Sequence, residues 1–332
     1  IAKAGGGFTT SNTDPIMIAQ IQVTNVIDPF GAKMRILANK KEILRIANEQ
    51  DPILVGFGGG AKDIEVRVID SQSGPMVICH LLVNCKDAMG ANAVNTMAEA
   101  LAPYIENVSK GHVCLRILSN LAIYRLARSY AVFNKDMLGG EKIVDRIISA
   151  YHFANADPFR ASTHNKGIMN GIIAVALALG QDTRALEAGA HTYASITGDY
   201  KSLTSWEKNK DGDLVGTLEM PMAVGIVGGA VGSHPTVRAN LRILGITTAD
   251  ELGGIIVSVG LAQNLGALRA LADEGIQKGH MSLHARNFAI TAGAPLDKVE
   301  IVVEKLIKGG QVRLDKAREI VDDLMSTEKA LS

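Results

Sequence analysis

The stretch that decides the fold is Met76-Val-Ile-Cys-His-Leu-Leu-Val83-Asn-Cys-Lys-Asp87-Ala-Met-Gly90-Ala-Asn92. It begins as an apolar, β-rich run, passes through a short polar turn and opens a helical pattern over residues 88–102. Asp87 belongs to the residue types that cap helices, and Pro103 is expected to end this one. The stretch therefore predicts a strand, a tight turn and a helix in succession.

The chain before this stretch continues the pattern. Residues 18–23 and 65–69 are β-rich, and a helical period covers residues 32–48 between them. Residues 70–75, Asp-Ser-Gln-Ser-Gly-Pro, carry turn residues that favour a hairpin. This order of strands and helices predicts a small α+β unit.

The second half of the chain has a different character. From residue 142 onward it is rich in Ala, Leu and Gly, which predicts a mainly helical region with a charged helical tail after Gly279. Two segments are exceptions: residues 213–219 alternate as a strand does, and residues 224–232 are glycine-rich. Residues 1–8 resemble the last turn of a helix that ends at glycines, so further sequence is expected to precede them.

Composition excludes several classes of protein. The 332 residues contain 34 Lys plus Arg and 34 Asp plus Glu, which argues against nonspecific binding to nucleic acid or anionic membranes. The apolar run 167–180 is interrupted by Asn170 and is too short to span a bilayer, so we expect a soluble protein without a membrane anchor. At this length, two domains are the better expectation.

The cysteines indicate the compartment. Cys79, Cys85 and Cys114 form an odd set without the spacing of zinc ligands or of a disulfide framework. This pattern is typical of a reducing compartment and predicts a cytoplasmic protein without a structural metal.

The turn at residues 87–92 is a candidate phosphate site. Free amides at a helix N-terminus bind phosphate, and Gly90 would let a ligand approach the backbone. The turn lacks the GxGxxG pattern of dinucleotide-binding folds, and taken alone it favours the simpler interpretation that Asp87 only caps the helix. The glycines at residues 56–60 are best interpreted as a plain loop.

A second candidate site is the polar segment at residues 157–171, predicted as a loop that leads into a helix. It gathers Arg160, His164, Lys166 and Asn170, a density of polar groups that costs stability unless they bind something. A desolvated Lys166 could stabilise negative charge on a carbonyl oxygen. Asp182 is its candidate partner, although its spacing alone favours a helix cap.

Two histidines near the end form a third candidate. His280 and His284 are four residues apart and share a face if the segment is helical. The spacing suits a metal, but there is no Glu in the HExxH position and no evident third ligand. A general acid is therefore the better role for one of them. The remaining histidines are expected to be structural.

Five motifs together carry a family resemblance. They lie in residues 87–99, 163–171 (Thr-His-Asn-Lys-Gly-Ile-Met-Asn-Gly), 216–221 (Gly-Thr-Leu-Glu-Met-Pro), 260–266 and 279–281. In this order they strongly resemble 3-hydroxy-3-methylglutaryl-CoA (HMG-CoA) reductase, and the Asp-Ala-Met-Gly-Ala-Asn form is similar to the class II enzymes of bacteria and archaea. The resemblance covers essentially the whole chain.

The resemblance implies a reaction and its catalytic residues. The family reduces HMG-CoA to mevalonate and CoA by two hydride transfers from a nicotinamide cofactor, or runs the reaction backward. Lys166 would stabilise the oxyanions, with Asp182 as its hydrogen-bonded partner. His280 would protonate the departing CoA thiolate, and His284 would contact CoA.

The resemblance also implies binding residues. Arg160 and Asn170 would hold the substrate or cofactor beside the lysine, and Asn120 and Gln263 would line the cleft. The turn that contains Asp87, Met89, Gly90 and Asn92 would bind the cofactor phosphates. Asp51 would bond the ribose hydroxyls and repel a 2′-phosphate, so NAD(H) is expected over NADP(H).

The implied architecture is α+β. Residues 1–12 and 122–275 would form a mainly helical large catalytic domain. An inserted ferredoxin-like cofactor domain would cover residues 13–121, and residues 276–332 would form a helical flap. The family forms homodimers with active sites at the subunit interface.

One expected catalytic group has no match. The family's glutamate lies in a Glu-Asn-Val motif before the cofactor domain, whereas Glu106-Asn107-Val108 follows the helix after Asp87. We therefore reject Glu106 and expect the glutamate in a preceding segment. Two alternatives stay open: a non-catalytic fragment that binds CoA or nucleotide, and a related CoA-thioester oxidoreductase.

Overall fold

In the computed structural model, the described backbone covers residues 1–272 and 276–331, and the described side chains cover residues 1–272 and 284–326. Over these residues the chain forms a 3-10 helix at Ala2–Gly5, fourteen α-helices and eight strands in two antiparallel sheets. The strands are β1 (Phe8–Asn12), β2 (Ile16–Thr24), β3 (Gly60–Ile69), β4 (Met76–Asn84), β5 (His112–Ser119), β6 (Leu126–Phe133), β7 (Thr204–Lys208) and β8 (Leu214–Pro221). The helices are α1 (Pro29–Ala38), α2 (Lys40–Asn48), α3 (Pro52–Gly56), α4 (Ala91–Ser109), α5 (Lys135–Leu138), α6 (Glu141–Ala156), α7 (Pro158–Ala178), α8 (Thr183–Ala194), α9 (Gly229–Ser233), α10 (Pro235–Leu244), α11 (Ala249–Ala272), α12 (Ile276–Thr291), α13 (Val299–Lys308) and α14 (Leu314–Leu331).

The first sheet has the order β3-β4-β2-β5, and every neighbouring pair is antiparallel. β3 and β4 form a hairpin, while helices connect β2 to β3 and β4 to β5, which is the split βαβ pattern. The strands predicted at residues 18–23, 65–69 and 76–83 are confirmed within longer strands. The predicted small α+β unit therefore exists.

The bounds of the two helices predicted in this unit differ from those in the structure. The helix expected over residues 32–48 is broken at Asn39, whose side chain donates to the Arg35 carbonyl and accepts from the Tyr104 hydroxyl. The helix expected over residues 88–102 is α4, which begins at Ala91 and contains Pro103 within it. Its buried apolar face packs on the sheet on both sides of the proline, which outweighs the hydrogen bond that the proline cannot make.

The second sheet has the order β1-β6-β8-β7 and belongs to the larger unit. β8 coincides with the strand predicted at residues 213–219, and the mainly helical character predicted from residue 142 onward is confirmed. The other three strands of this sheet were not predicted. Helices α7 and α11 pack beside it at glycine contacts. A Cβ on Gly260 would lie 2.8 Å from Ile172, and one on Gly171 would lie 2.9 Å from the Cβ of Gln263.

Helix α11 is the one described helix that is long and apolar enough to cross a membrane, by length and composition. It has 24 residues, and 44% of its most apolar stretch is buried. Its buried side chains belong to the core that the second sheet shares with α6 and α7. Helix α11 is thus a longer apolar segment than residues 167–180.

The last three helices form a small core of their own. Buried side chains of α12, α13 and α14 pack together; they include Ala285, Ala289, Val302, Leu306 and Val321. Their outer faces carry ion pairs such as Arg286–Glu300. The predicted charged helical tail is confirmed, as is the helical turn at the first residues, which ends at Gly6 with a positive φ of 99°.

Candidate active site

The turn between β4 and α4 is a tight one that requires glycine at its end. Lys86 has a φ of 51° and Gly90 a φ of 101°, both in the left-handed region. A Cβ on Gly90 would overlap the buried sulfur of Cys85 and would lie 3.4 Å from Met17. The turn therefore has little room to rearrange.

Asp87 does not cap α4, so the capping interpretation is wrong. Its Oδ1 accepts a hydrogen bond of 2.8 Å from the backbone N–H of Ala249, the first residue of α11. Its backbone carbonyl accepts a second bond, of 2.9 Å, from the N–H of Ile226. Asp87 thus ties the turn of the small unit to two segments of the larger one.

Arg125 lies under this turn and was not found from the sequence. It is 4% exposed. Its Nη1 donates to the carbonyls of Ala88 and Met89 at 2.9 and 3.1 Å, and its Nη2 donates to the carbonyl of Val224 at 2.6 Å and reaches that of Lys86 at 3.5 Å. Burial lowers the pKa of this guanidinium. Since a side chain that binds only carbonyls leaves no sequence motif, nothing in the pattern could have identified it.

The glycine-rich loop before α9 packs directly on the turn. A Cβ on Gly225 would lie 2.5 Å from the backbone nitrogen of Met89, so only glycine fits there. The side-chain amide of Gln181 binds both backbone groups of Gly225: Nε2 donates to its carbonyl, and Oε1 accepts from its N–H, each at 2.9 Å. The turn, the loop and the segment before Asp182 are thereby held together.

These three segments enclose a cavity of about 590 Å³. Its wall includes five residues that the sequence analysis singled out. They are Asp51, Met89, Gly90, Asn92 and Asp182. The structure therefore brings the predicted cofactor turn and one predicted catalytic carboxylate to a single cavity.

Both carboxylates of this wall also cap helices. Asp51 accepts a hydrogen bond of 2.9 Å from the N–H of Leu54 at the start of α3. Asp182 accepts one of 3.0 Å from the N–H of Ala185 in α8, which confirms the capping interpretation for this residue. Each carboxylate is fixed by its cap and keeps oxygen atoms for other partners.

The polar segment at residues 157–171 is helix α7 itself, not a loop before a helix. Asp157 caps it by accepting from the N–H of Arg160 at 2.9 Å. Lys166 and Asn170 are exposed and lie one turn apart on one face. Burial lowers the pKa of Arg160. Among the described side chains, no hydrogen bond or ion pair joins Lys166 to Asp182.

A buried polar network lies on the opposite side of α7. The Nε2 of His164 is 2.8 Å from the Thr204 hydroxyl, which is 3.0 Å from Oδ1 of Asn264. The indole N–H of Trp206 donates to the same Oδ1 at 2.8 Å. All four residues are buried, and the network anchors α7 to β7 and α11.

The protons of this network are determined by the indole. Since Trp206 can only donate, the Asn264 atom that it contacts is the oxygen, and Thr204 must donate its single proton to that oxygen. The Ser202 hydroxyl, 2.9 Å from the same Nε2, uses its own proton for the Thr204 carbonyl. His164 therefore carries its proton on Nε2 and donates toward both hydroxyls. The Nδ1 of His164 is the one buried polar side-chain atom without a partner among residues 1–272 and 284–326. Burial, together with Arg160, lowers the pKa of His164 to about 4.

The other predicted residues lie at separate places. Gln263 is exposed and packs against Gly171, next to Asn170. Asn120 is exposed, and its carbonyl would lie 2.6 Å from a Cβ on Gly189 in α8. Neither lines the cavity.

The two C-terminal histidines lie on α12. His284 is exposed, and its ring stacks on Phe288 with centroids 6.2 Å apart. The side chain of His280 lies outside the described residues. Elsewhere, Glu106 accepts from the N–H of Val113 and pairs with His112, so it has a structural role on α4. Among the described side chains, no three His, Cys, Asp or Glu residues are grouped closely enough to hold a metal ion.

Comparison with known proteins identifies the class. A family model described as hydroxymethylglutaryl-coenzyme A reductase, an oxidoreductase, matches residues 1–285. The 3-hydroxy-3-methylglutaryl-coenzyme A reductase of Archaeoglobus fulgidus is 58% identical over 326 residues, which are 98% of this chain and 74% of the relative. The chain belongs to the HMG-CoA reductase family.

Solved structures agree with this assignment. The class II HMG-CoA reductase of Streptococcus pneumoniae, bound to NADPH in open conformations, superposes with a TM-score of 0.81 at 41% identity. The match covers 98% of this chain and 80% of the relative. A second structure of that enzyme gives a TM-score of 0.82 and covers 78% of the relative. The mixed α+β fold with two antiparallel sheets is therefore similar to that of the class II enzymes.

Proposed function

We propose that this chain interconverts HMG-CoA with mevalonate and CoA, using a nicotinamide cofactor. The observation that carries the proposal is the cavity of about 590 Å³, in which the Asp-Ala-Met-Gly-Ala-Asn turn meets Asp182. Membership of the HMG-CoA reductase family supports the same reaction.

The cavity fits a dinucleotide in size and in lining. Gly228 and Gly229 lie on its wall with positive φ, and a Cβ added to either would meet nothing within 4 Å. The backbone there leaves space for a ligand to approach closely. The first turn of α4, at Ala91 and Asn92, presents helix N-terminal amides that suit phosphate. When bound, the cofactor supplies the hydride.

In this proposal, the groups that act on the substrate come from α7, from the residue that caps α8 and from α12. Lys166 donates from Nζ to the thioester oxygen and stabilises the negative charge that develops there. Asp182 is its carboxylate partner, and Arg160 and Asn170 hold the substrate on the same helix. His280 protonates the departing CoA thiolate.

Helix α12, in the flap, contributes to CoA binding. His284 contacts CoA, one turn from His280 on α12. Asp87, Met89, Gly90 and Asn92 hold the cofactor phosphates, and Asn120 and Gln263 line the cleft. Residues 13–121 form the cofactor domain, residues 1–12 and 122–275 the catalytic domain, and residues 276–332 the flap.

We also propose that NAD(H) is preferred over NADP(H). Asp51 lies on the cavity wall, and a carboxylate that bonds ribose hydroxyls would repel a 2′-phosphate. The Streptococcus pneumoniae relative is bound to NADPH, so the ratio of kcat/KM for NADH and NADPH has to be measured on this chain.

A homodimer completes the proposal. The exposed face of α7 that carries Lys166 and Asn170 also presents Phe159 and Leu177, which are 87% and 70% exposed. Large exposed apolar side chains beside polar ones are typical of protein interfaces. A second copy would cover them and place the active site between subunits. The buried thiols of Cys79 and Cys85 fit a reducing, cytoplasmic location.

The decisive experiment removes the lysine. Lys166→Ala should lower kcat about 100-fold or more, because it removes the donor that stabilises the oxyanion, and should leave the Kd for the dinucleotide within about twofold. Lys142→Ala, at an exposed lysine of α6, is the matched control. Substantial kcat in Lys166→Ala would remove this residue from the mechanism.

Two further outcomes judge the rest of the proposal. An unmodified chain that binds dinucleotide and CoA without any turnover would favour the non-catalytic alternative. Sedimentation of the active protein should show a dimer, and an active monomer would contradict the shared site.

A further inference from the structure

We propose that Arg125 is the positioning residue of the cofactor turn, which orients peptide N–H groups toward the cavity and places a buried positive charge beneath it. The inference rests on the proposed function, because it assumes that the ligand of this cavity carries phosphates. It assigns a role to a side chain outside every motif of the sequence.

The orientation of the peptides follows from the bonds of Arg125. Its guanidinium binds the carbonyls of Ala88 and Met89. A trans peptide directs its N–H opposite to its C=O, and the chain contains no cis peptide in its described part. The N–H groups of Met89 and Gly90 are therefore directed away from the guanidinium. Both residues line the cavity.

The charge of Arg125 is not neutralised by a salt bridge. None of the ion pairs between described side chains includes it, and its four acceptors are all backbone carbonyls. Burial lowers its pKa, and Cys85, Asp250 and Asp87, which act on it only through space, raise it. A buried cation with uncharged partners favours an anion in the adjoining cavity.

The position of Arg125 also links the two units. Arg125 lies just before β6 of the second sheet, and its guanidinium binds the turn that follows β4 of the first sheet. The same guanidinium binds Val224, next to the glycine that packs on Met89. One side chain thus holds both the turn and the opposite wall of the cavity in position.

The test compares Arg125→Met and Arg125→Lys with the same substitutions at Arg128. Arg128 is a half-exposed arginine of β6 that pairs with Glu219 away from the cavity. Binding of NADH, NADPH and inorganic pyrophosphate is measured by calorimetry, with steady-state KM values for HMG-CoA and dinucleotide. Circular dichroism confirms that each variant is folded.

We expect Arg125→Met to raise the Kd of dinucleotide and of pyrophosphate about tenfold, while the KM for HMG-CoA changes less than twofold. The Kd values of Arg125→Lys should lie between those of the unmodified chain and of Arg125→Met, because lysine keeps the charge but cannot bind all of the same carbonyls. A purely structural role would affect both substrates alike. The Arg128 variants should behave like the unmodified chain.

Dinucleotide and pyrophosphate Kd values within twofold of the unmodified chain in folded Arg125→Lys and Arg125→Met would overturn the inference. If Arg125→Met does not fold, the Kd values of Arg125→Lys and Gly225→Ala test the inference instead. A Cβ at residue 225 would displace the same turn from its other side. An unmodified chain that binds pyrophosphate but no dinucleotide would refute the proposed function. The pyrophosphate Kd values of the Arg125 variants would still test the role of Arg125. Binding of neither ligand would overturn both.

Discussion

The pH dependence of unfolding offers a direct measure of the network beneath α7. Burial and the nearby Arg160 lower the pKa of His164 from 6.5 to about 4 in the folded chain. In the unfolded chain, this imidazole regains its ordinary pKa. The unfolded state therefore binds the proton more tightly, and acid should favour unfolding through this one residue.

The sign and size of this effect on the free energy of unfolding follow from the linkage between proton binding and folding. Above pH 6.5 His164 is neutral in both states and affects the pH dependence little. As the pH falls from 6.5 to 4 only the unfolded state becomes protonated, so stability decreases through this window and levels off below pH 4. The loss between pH 7 and pH 4 is about 3 kcal/mol.

The assay is urea unfolding at intervals from pH 7 to pH 4, on the unmodified chain and on His164→Gln. Glutamine can still donate to Thr204 but does not titrate, so the variant should lack about 3 kcal/mol of the acid-induced loss. His152→Gln, at an exposed position of α6, is the matched control and should keep the full loss. Equal acid losses in the unmodified chain and in His164→Gln would refute the reasoning.

Three other predictions concern the candidate site. Asp51→Asn should shift the ratio of kcat/KM toward NADPH relative to NADH; a higher kcat/KM with NADPH already in the unmodified chain would refute the role of Asp51. His280→Gln should slow reduction of the thioester more than that of the free aldehyde, measured as separate half-reactions; equal losses would count against a thiolate acid. Gly90→Ala should lower the free energy of unfolding by about 2–4 kcal/mol in urea titrations, because the Cβ overlaps a buried sulfur at positive φ; an unchanged midpoint would contradict the packing.

The small unit could be predicted because its signals are local. β2 and β4 carry apolar residues that face α4, and turn residues separate β3 from β4. β6 could not be predicted in the same way. It is held by pairs such as Arg128 with Glu219 and Ala131 with Phe8, which lie about a hundred residues apart in the chain. Strand formation depends on such neighbours more than on the residues themselves.

Two features of the site depend on contacts that are distant in sequence. The position of Asp87 predicts a cap for the adjacent helix, but its carboxylate accepts from the first residue of α11, 162 residues away. The polar density of residues 157–171 predicts a binding site, because so many polar groups are costly unless they have partners. His164 and Asn165 find theirs at residues 201–204, which the local sequence does not reveal.

The site itself was only partly predictable. Met89, Gly90 and Asn92 belong to a motif, Asp51 and Asp182 follow from the family resemblance, and all five meet at one cavity. Arg125 and Gln181 were missed because both act on backbone groups. Backbone carbonyls and amides are the same at every residue, so a side chain that serves them needs no particular neighbours in sequence.

The buried network also determines the charge on the helix that carries the candidate lysine. Arg160 and Lys166 are both cationic, and a protonated His164 would add a third positive charge between them on α7. Burial in the network that contains Thr204, Trp206 and Asn264, together with the nearby Arg160, prevents this at neutral pH because both disfavour the charged imidazole. His164 then stays neutral, with its pKa near 4. Because Trp206 lies on β7 and Asn264 on α11, the electrostatic environment of Lys166 depends on how the sheet and the two helices pack together.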